Sequence, residues 1–550
     1  MPEFHASDNK PSWFIDAIFY QVYVRGFKDS GKDGKGDLQG LIEKLDYIQN
    51  LGVSCLWLMP IFPSPLRDDG YDVSDFFSID PSIGSLRDLK ELTEAAHERD
   101  LHVITDLVIS HTSDQHSWFQ QARLVRDSKY HSYYVWSDHD QGYSQARVIF
   151  PDTEDSNWAW DHQLKQYYWH RFFSHQPDLN YDNPEVQEAL LNTMRFWLDL
   201  GIDGFRVDAV PYLFEREGTD CENLPETHAF CRRMRQLIDS EYPGRMLLAE
   251  ANQWPDDLVQ YFGNGDEFHM AFNFPLMPRL FLALRKEDSQ PIVDCISQLP
   301  EIPDNCQWAT FLRNHDELTL EMVTDADRDY LYSEYANDPR MKLNEGIRRR
   351  LSPLVDHDRR RIELMYSLLL SLPGAPVIYY GDEIGMGDNI FLGDRNGVRT
   401  PMQWSDDRNA GFSSADPSML YQPVITDPIY NYQAVNVDAQ LRSPASLLHW
   451  LRHQIRMRRS QPLFSRGDIQ FLRSNNRSVL SFTRSHQGTT ALLLHNLSNA
   501  VQPVEIDLSS HISFRPMHCN GVHGFPVITD QPYFLNLAPY ESLWFLLEQA

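Results

Sequence analysis

Eight short apolar runs separated by helix-patterned segments predict a closed eight-stranded (β/α)8 TIM barrel, followed by a smaller antiparallel β-domain. Three observations carry this. Strand-like and helix-like segments alternate through the first two thirds of the chain. One long segment between the third and fourth strands lacks regular periodicity. Beyond about Leu463 the texture changes to short alternating runs punctuated by Asn, Ser and Gly.

The elements follow in order. Residues 18–24 are apolar and aromatic, as in a buried strand. Leu41, Leu45, Ile48 and Leu51 recur at helical spacing, and Gly52 supplies the stop. A second strand over 55–59, a helix carrying Leu86, Leu89, Leu92 and Ala96, and a third strand over 102–109 continue the rhythm. Asn183 and Pro184 read as N-cap and first helical residue. Their helix carries Val186, Leu190, Met194 and Trp197, ends at Gly201 and leads into a strand over 204–207. Runs at 246–249, 269–273, 308–312 and 376–380 bring the count to eight. The expected domains are a barrel over 1–111 and 179–460, an inserted subdomain over 112–178 above the barrel mouth, and a C-terminal β-sandwich over 461–550.

Composition narrows the function. Of 550 residues, 42% are hydrophobic, enough for a large core, and 78 acidic against 49 basic residues give a net charge of −29. That charge opposes nucleic acid and anionic lipid. The basic runs at 348–350 and 359–361 read as solvated or salt-bridged faces. No stretch reads as a membrane span, the polar N-terminus lacks a signal pattern, and six scattered cysteines suit a reducing compartment; a cytoplasmic protein is expected. Aromatic residues make up 12%, and a minority of them suit the apolar faces of sugar rings.

Active sites of such barrels lie at the C-terminal strand ends. Ser110 and His111 follow the third strand, Arg206 and Asp208 end the fourth, Glu250 ends the fifth, and His315, Asp316 and Glu317 follow the seventh. Carboxylates from three strands converging on one mouth suit acetal cleavage, in which one carboxyl protonates the leaving oxygen and another attacks or stabilises the anomeric carbon. Arg206, two residues before Asp208, shares its strand face.

The segments DLVISH, GFRVDAV, LLAEANQW and FLRNHDE resemble, in order, four conserved regions of the α-amylase family (glycoside hydrolase family 13), and GAPVIYYGDE and RDDGYDV resemble two more. The resemblance implies Asp208 as nucleophile, Glu250 as acid/base and Asp316 as the transition-state-stabilising acid. It implies sugar contacts from His111, Arg206 and His315, and a closed glucose pocket formed by Asp68, Tyr71 and Arg399. Within the family, residues 334–354 and 381–389 are similar to members that interconvert maltose and trehalose, and Phe150, Phe172 and Gln176 match sugar-contacting positions of that group. Glu317 stands where hydrolytic α-glucosidases and oligo-1,6-glucosidases carry Gln, and Glu250-Ala251-Asn252-Gln253-Trp254 departs from their E-x-P-G. The expected reaction is therefore a reversible intramolecular isomerisation of maltose with minor release of glucose, hydrolytic α-glucosidase being the alternative. Retaining the freed glucose requires a lid, expected from Glu317 and the 334–354 stretch.

No organic cofactor is expected, and a disaccharide is the expected partner, with self-association left open. The resemblance implies a structural Ca²⁺ held by Ser110, Asp178, the backbone oxygens of Tyr212 and Leu213, and Glu215. Oxygen ligands at alternate positions of the first loop (Asp29, Asp33, Lys35 and Asp37) suggest a second Ca²⁺ or Mg²⁺, although Gly31 stands where the family usually has Asn. Some family relatives carry a maltokinase domain, and none is expected here.

Overall fold

A computed structural model describes residues 13–472, 475–508, 511–519 and 532–549. The N-terminal stretch read for a signal pattern lies outside these residues. The barrel strands are β1 (Phe19–Val22), β2 (Cys55–Leu58), β3 (His102–Val108), β4 (Gly204–Asp208), β5 (Met246–Ala249), β6 (Met270–Phe272), β7 (Gln307–Phe311) and β8 (Ala375–Tyr379). All pair in parallel and in chain order, and β1 pairs with both β2 and β8 to close the barrel. All eight expected strands are present. They were legible because parallel strands are covered on both faces and so read as continuous apolar runs.

Local signals act as expected. Asn183 caps the helix Pro184–Asp199 by accepting from the Glu185 amide, and Trp197 on that helix is fully buried, donating to the Phe76 carbonyl at 2.8 Å. Gly52 ends the first helical region in the left-handed conformation, φ +97°. The expected single helix there is two pieces, Leu38–Glu43 and Leu45–Leu51, broken at Lys44. Ser85 and Asp88 form a reciprocal capping box on Leu86–His97.

Between β3 and β4 the chain forms a three-stranded antiparallel sheet (Trp136–Ser137, Trp158–Asp161 and Gln166–Trp169) with a short helix, Ser117–Ala122. Bridges from His111 to Asp178 and from Tyr134 to Leu179 tie its two ends together. The loop after β7 carries a second small sheet (Leu318–Thr319, Gly346–Ile347 and Lys342–Leu343) and the helix Asp325–Tyr335.

The C-terminal part packs a five-stranded antiparallel sheet against a two-stranded one, Gln502–Ile506 with Tyr533–Leu537. Val479, Leu492, Leu494, Val504 and Phe545 lie in the core between them. Its other face rests on the barrel, where Trp544 is fully buried, donates to Ser367 Oγ at 2.9 Å and packs on Phe464. Cys55, Cys221, Cys231 and Cys295 are buried thiols, and no helix among the described residues is long and apolar enough to cross a membrane.

Candidate active site

The parallel register brings the central charges together. Asp106 on β3 is the direct partner of Arg206 on β4, and Val207 pairs with Ala249, one residue before Glu250. The buried Arg206 guanidinium contacts Asp106 Oδ1 at 2.7 Å and also binds both Asp208 and Glu250. Trp57 Nε1 donates to the other Asp106 oxygen at 3.0 Å. Directly after Asp208 the backbone turns through Ala209 in the left-handed region, φ +52°. The turn aims the Ala209 amide at Glu250 Oε2, 3.1 Å away. A non-glycine residue held there is strain of the kind concentrated at functional sites.

Asp316 completes the acid set from the end of β7. Its Oδ1 accepts from Arg395 at 3.1 Å and Arg399 at 2.9 Å, and its Oδ2 lies 3.0 Å from His315 Nε2. His315 also meets Tyr71 Oη at 2.6 Å and Gln21 at 2.7 Å. On the opposite wall, Asp68 accepts from Arg395 at 2.7 Å and from Gln176 at 2.8 Å. Arg395 thus bridges the two acids with one guanidinium.

Burial divides the charges. It pushes Asp208 up to about 6 and Glu250 up to about 8, more than Arg206 pulls them down. Burial also pushes Asp68 and Asp106 up to about 7 against the pull of Arg395 and Arg206 respectively. Asp316 behaves oppositely: burial raises it, but His315, Arg395 and Arg399 outweigh that and hold it well below the usual carboxylate range. Burial drives His315 itself down to about 4, although its contact with Asp316 pulls the other way. His111 is likewise driven by burial to about 3; it spans Ser110 Oγ at 2.9 Å and the Tyr71 carbonyl at 3.1 Å.

The cavity above these groups is lined by Asp68, Tyr71, His111, Phe150, Phe172, Asp208, Glu250, Asp316, Glu317 and Arg395, among others. Phe150 and Phe172 pack 5.5 Å apart on the side of the inserted subdomain. The expected residues Arg206, His315 and Gln176 stand directly behind that surface. Arg399 differs from expectation. It is fully buried, bound to Asp69, Asp316 and the His315 carbonyl, and the cavity-facing arginine is Arg395, four residues earlier. The sequence reading also missed Asn252, Asn314, Thr319 and Glu321, which line the cavity. Only the placement of Asn314 beside His315 and Asp316 gave any signal of this.

The mouth is tied across. Arg147 of the inserted subdomain contacts Glu321 at 2.6 Å, Glu222 at 3.0 Å and Tyr212 Oη at 3.2 Å. Asp152 accepts from the Asn344 amide at 2.7 Å. The 334–354 stretch, expected as the lid, does not itself line the cavity. It backs Glu317, through Asn344 Nδ2 at 3.3 Å and through Gly346, where a Cβ would meet Glu317 Cγ at 2.6 Å.

The two expected cation sites differ. Asp178 is buried with Oδ2 lacking a hydrogen-bond partner, and Glu215 is buried near enough to feel the Asp178 carboxylate. Burial pushes both far upward. In the first loop the carboxylates are already engaged. Asp29 accepts from the Lys32 and Gly34 amides, Asp37 from the Ser30, Gly31 and Gly40 amides, and Asp33 from the Lys35 amide. Among the described residues no cluster of three or more His, Cys, Asp or Glu side chains is arranged to hold a metal.

The pKa directions set a pH profile. With the roles expected from the sequence, Asp208 acts ionised, so activity is expected to fall as pH drops through about 6; Glu250 acts protonated, so activity is expected to fall as pH rises through about 8. Plotting kcat/KM against pH is expected to give a bell with those apparent limbs for the pair. A profile still rising well above pH 8 would contradict the assignment.

Residues 21–467 match the α-amylase catalytic domain, and residues 469–544 the C-terminal domain of maltogenic amylase. The chain is 58% identical over 544 residues to the trehalose synthase/amylase TreS of Mycobacterium tuberculosis, covering 98% of this chain and 90% of that one. It is 56% identical to the trehalose synthase of Pimelobacter, covering 98% and 96%. A protein named as a probable α-glucosidase, from Rhizobium meliloti, stands at 33% over 90% of this chain and 91% of its own. The solved trehalulose synthase MutB of Pseudomonas mesoacidophila superposes with a TM-score of 0.78 at 26% identity, covering 98% of this chain and all of that one. With the eight-stranded barrel, the carboxylates at its strand ends and a catalytic-domain match across most of its length, this chain belongs to the α-amylase family.

Proposed function

We propose that the protein is a trehalose synthase, isomerising maltose to trehalose through a glucosyl ester on Asp208. One observation carries this: the three acids lie in a cavity whose mouth is bridged by Arg147, Glu321 and Asn344, an arrangement that suits keeping a freed glucose in place. The 56–58% identity to proteins named trehalose synthase, against 33% for the α-glucosidase, favours the same reading.

The chemistry follows from the charges. Asp208 attacks C1 of the non-reducing glucosyl unit while Glu250 gives its proton to O4, and the C1–O4 bond breaks with retention of both pieces in the cavity. Asp316, ionised by its arginines, stabilises the positive charge developing at C1. The free glucose then turns so that its anomeric hydroxyl faces C1. Glu250, now a carboxylate, takes that proton as O1 displaces Asp208. One glycosidic bond replaces another, so no energy input is needed. Water entering at the second step yields glucose instead.

For the expected cofactor, Asp178 and Glu215 suit a hard cation, because one Asp178 oxygen lacks a hydrogen-bond partner and burial keeps both carboxyls raised despite the nearby Arg171. Ser110 and the backbone oxygens of Tyr212 and Leu213 would complete the set, with a structural role. In the first loop backbone amides donate to Asp29, Asp33 and Asp37, and a second Ca²⁺ or Mg²⁺ there would share those carboxylates with the amides. A cytoplasmic location fits the thiol usage.

Two tests follow. Asp208→Ala is expected to abolish maltose turnover, and Glu250→Gln nearly so. With α-glucosyl fluoride, whose leaving group needs no proton, Glu250→Gln is expected to accumulate one glucosyl unit on the peptide carrying Asp208, read by mass spectrometry. Label on another residue, or normal maltose turnover by Asp208→Ala, would overturn the assignment. For the cation, chelation is expected to lower the thermal unfolding midpoint and added Ca²⁺ to restore it; an unchanged midpoint, with no metal found by elemental analysis, would overturn the site.

A further inference from the structure

The basic run Arg348-Arg349-Arg350 reads from sequence as a solvated or salt-bridged face; Arg349 and Arg350 are salt-bridged, and all three members converge on one loop. Arg349 grips Asp388 with Nε 2.9 Å from both carboxylate oxygens, and the Arg350 amide donates to the same group at 2.7 Å. Arg350 Nη1 reaches Asp382 at 3.0 Å. Arg348 enters the loop itself: its guanidinium donates to the carbonyls of Ile390 at 3.3 Å, Leu392 at 2.6 Å and Asp394. Its Nε donates to the Arg340 carbonyl at 2.5 Å. Among the described residues no carboxylate lies within ion-pair distance of Arg348 (its neighbours Arg349 and Arg350 each have one). A solvated arginine would not spend its donors on four main-chain carbonyls.

The loop so filled closes on itself, the Asn389 amide donating to the Gly397 carbonyl at 3.0 Å, and it carries Arg395. We propose that Arg348 is a positioning residue for the sugar site: by filling the 389–397 loop it fixes Arg395 between Asp68 and Asp316. Rotation of that loop moves the Arg395 guanidinium off one acid or the other, and with it the wall of the glucose pocket. By this route the 334–354 stretch would act on a cavity it does not line. The inference rests on the site assigned above to maltose turnover, and only its product side on the isomerase reading.

The test compares Arg348→Met, Arg348→Lys, Arg395→Ala and the double variant Arg348→Met/Arg395→Ala, reading KM and kcat for total maltose consumption. Arg348→Met is expected to raise KM about 10- to 100-fold, the scale of a small misplacement of a substrate-binding group. Arg348→Lys, keeping charge and stem but one donor group, is expected to fall between it and the parent. In the Arg395→Ala background, Arg348→Met is expected to add nothing, because its effect passes through Arg395. Arg360→Gln, in the second basic run, serves as control and is expected to leave both constants unchanged. Additive losses in the double variant, or a parental KM in Arg348→Lys, would overturn the proposal. A parent enzyme that releases only glucose would refute the isomerase reading and leave the KM comparison standing.

Discussion

The Arg206 guanidinium is the interaction on which the rest of the site depends. It is fully buried and shared by three carboxylates, Asp106, Asp208 and Glu250, drawn from three neighbouring strands. Removing one partner from a buried charged set costs about 3–5 kcal/mol, since the remaining charges lose their compensation. Here the loss would leave three acids facing one another. Parallel register places Asp106 opposite Arg206 and brings the end of β5 alongside, so the barrel itself positions the charge rather than any flexible loop.

Around this core lies a second set of arginines with a different task. Arg395 and Arg399 keep Asp316 ionised despite burial, and Arg395 also reaches across to Asp68. Arg147 joins the inserted subdomain to the loop after β7 at the mouth. A hydrolase needs the first of these arrangements. An isomerase needs both, because its leaving group must remain and turn while water is held back. An exposed ion pair at such a rim is individually weak, about 1 kcal/mol or less.

Much of this was legible in the sequence, for identifiable reasons. The barrel strands were found because burial on both faces makes them apolar throughout, and the acids were found because chemistry in such barrels gathers at strand ends. Loop geometry was not legible. Nothing in R-x-x-x-R says that Arg395 faces the cavity and Arg399 lies behind it; the turn at 396–398 decides that. Glu321 and Asn252 were missed because they reach the cavity from irregular segments with no periodicity to read. Spacing alone also did not reveal that backbone amides in the acidic first loop donate to its carboxylates. The arginine run at 348–350 was legible in part: Arg349 and Arg350 are salt-bridged as expected, but the main-chain contacts of Arg348 were not, because its partners lie some forty residues away, at 390–394.

The central claim is that glucose freed in the first step is the same molecule that accepts the glucosyl unit in the second. Incubating the purified enzyme with unlabelled maltose in the presence of ¹³C-glucose, and following trehalose, maltose and glucose over time, tests it directly. The account predicts trehalose forming well ahead of net glucose and carrying little label. Heavy labelling would mean that the acceptor exchanges with solvent, and glucose without trehalose would mean that the cavity admits water freely; either would contradict the account.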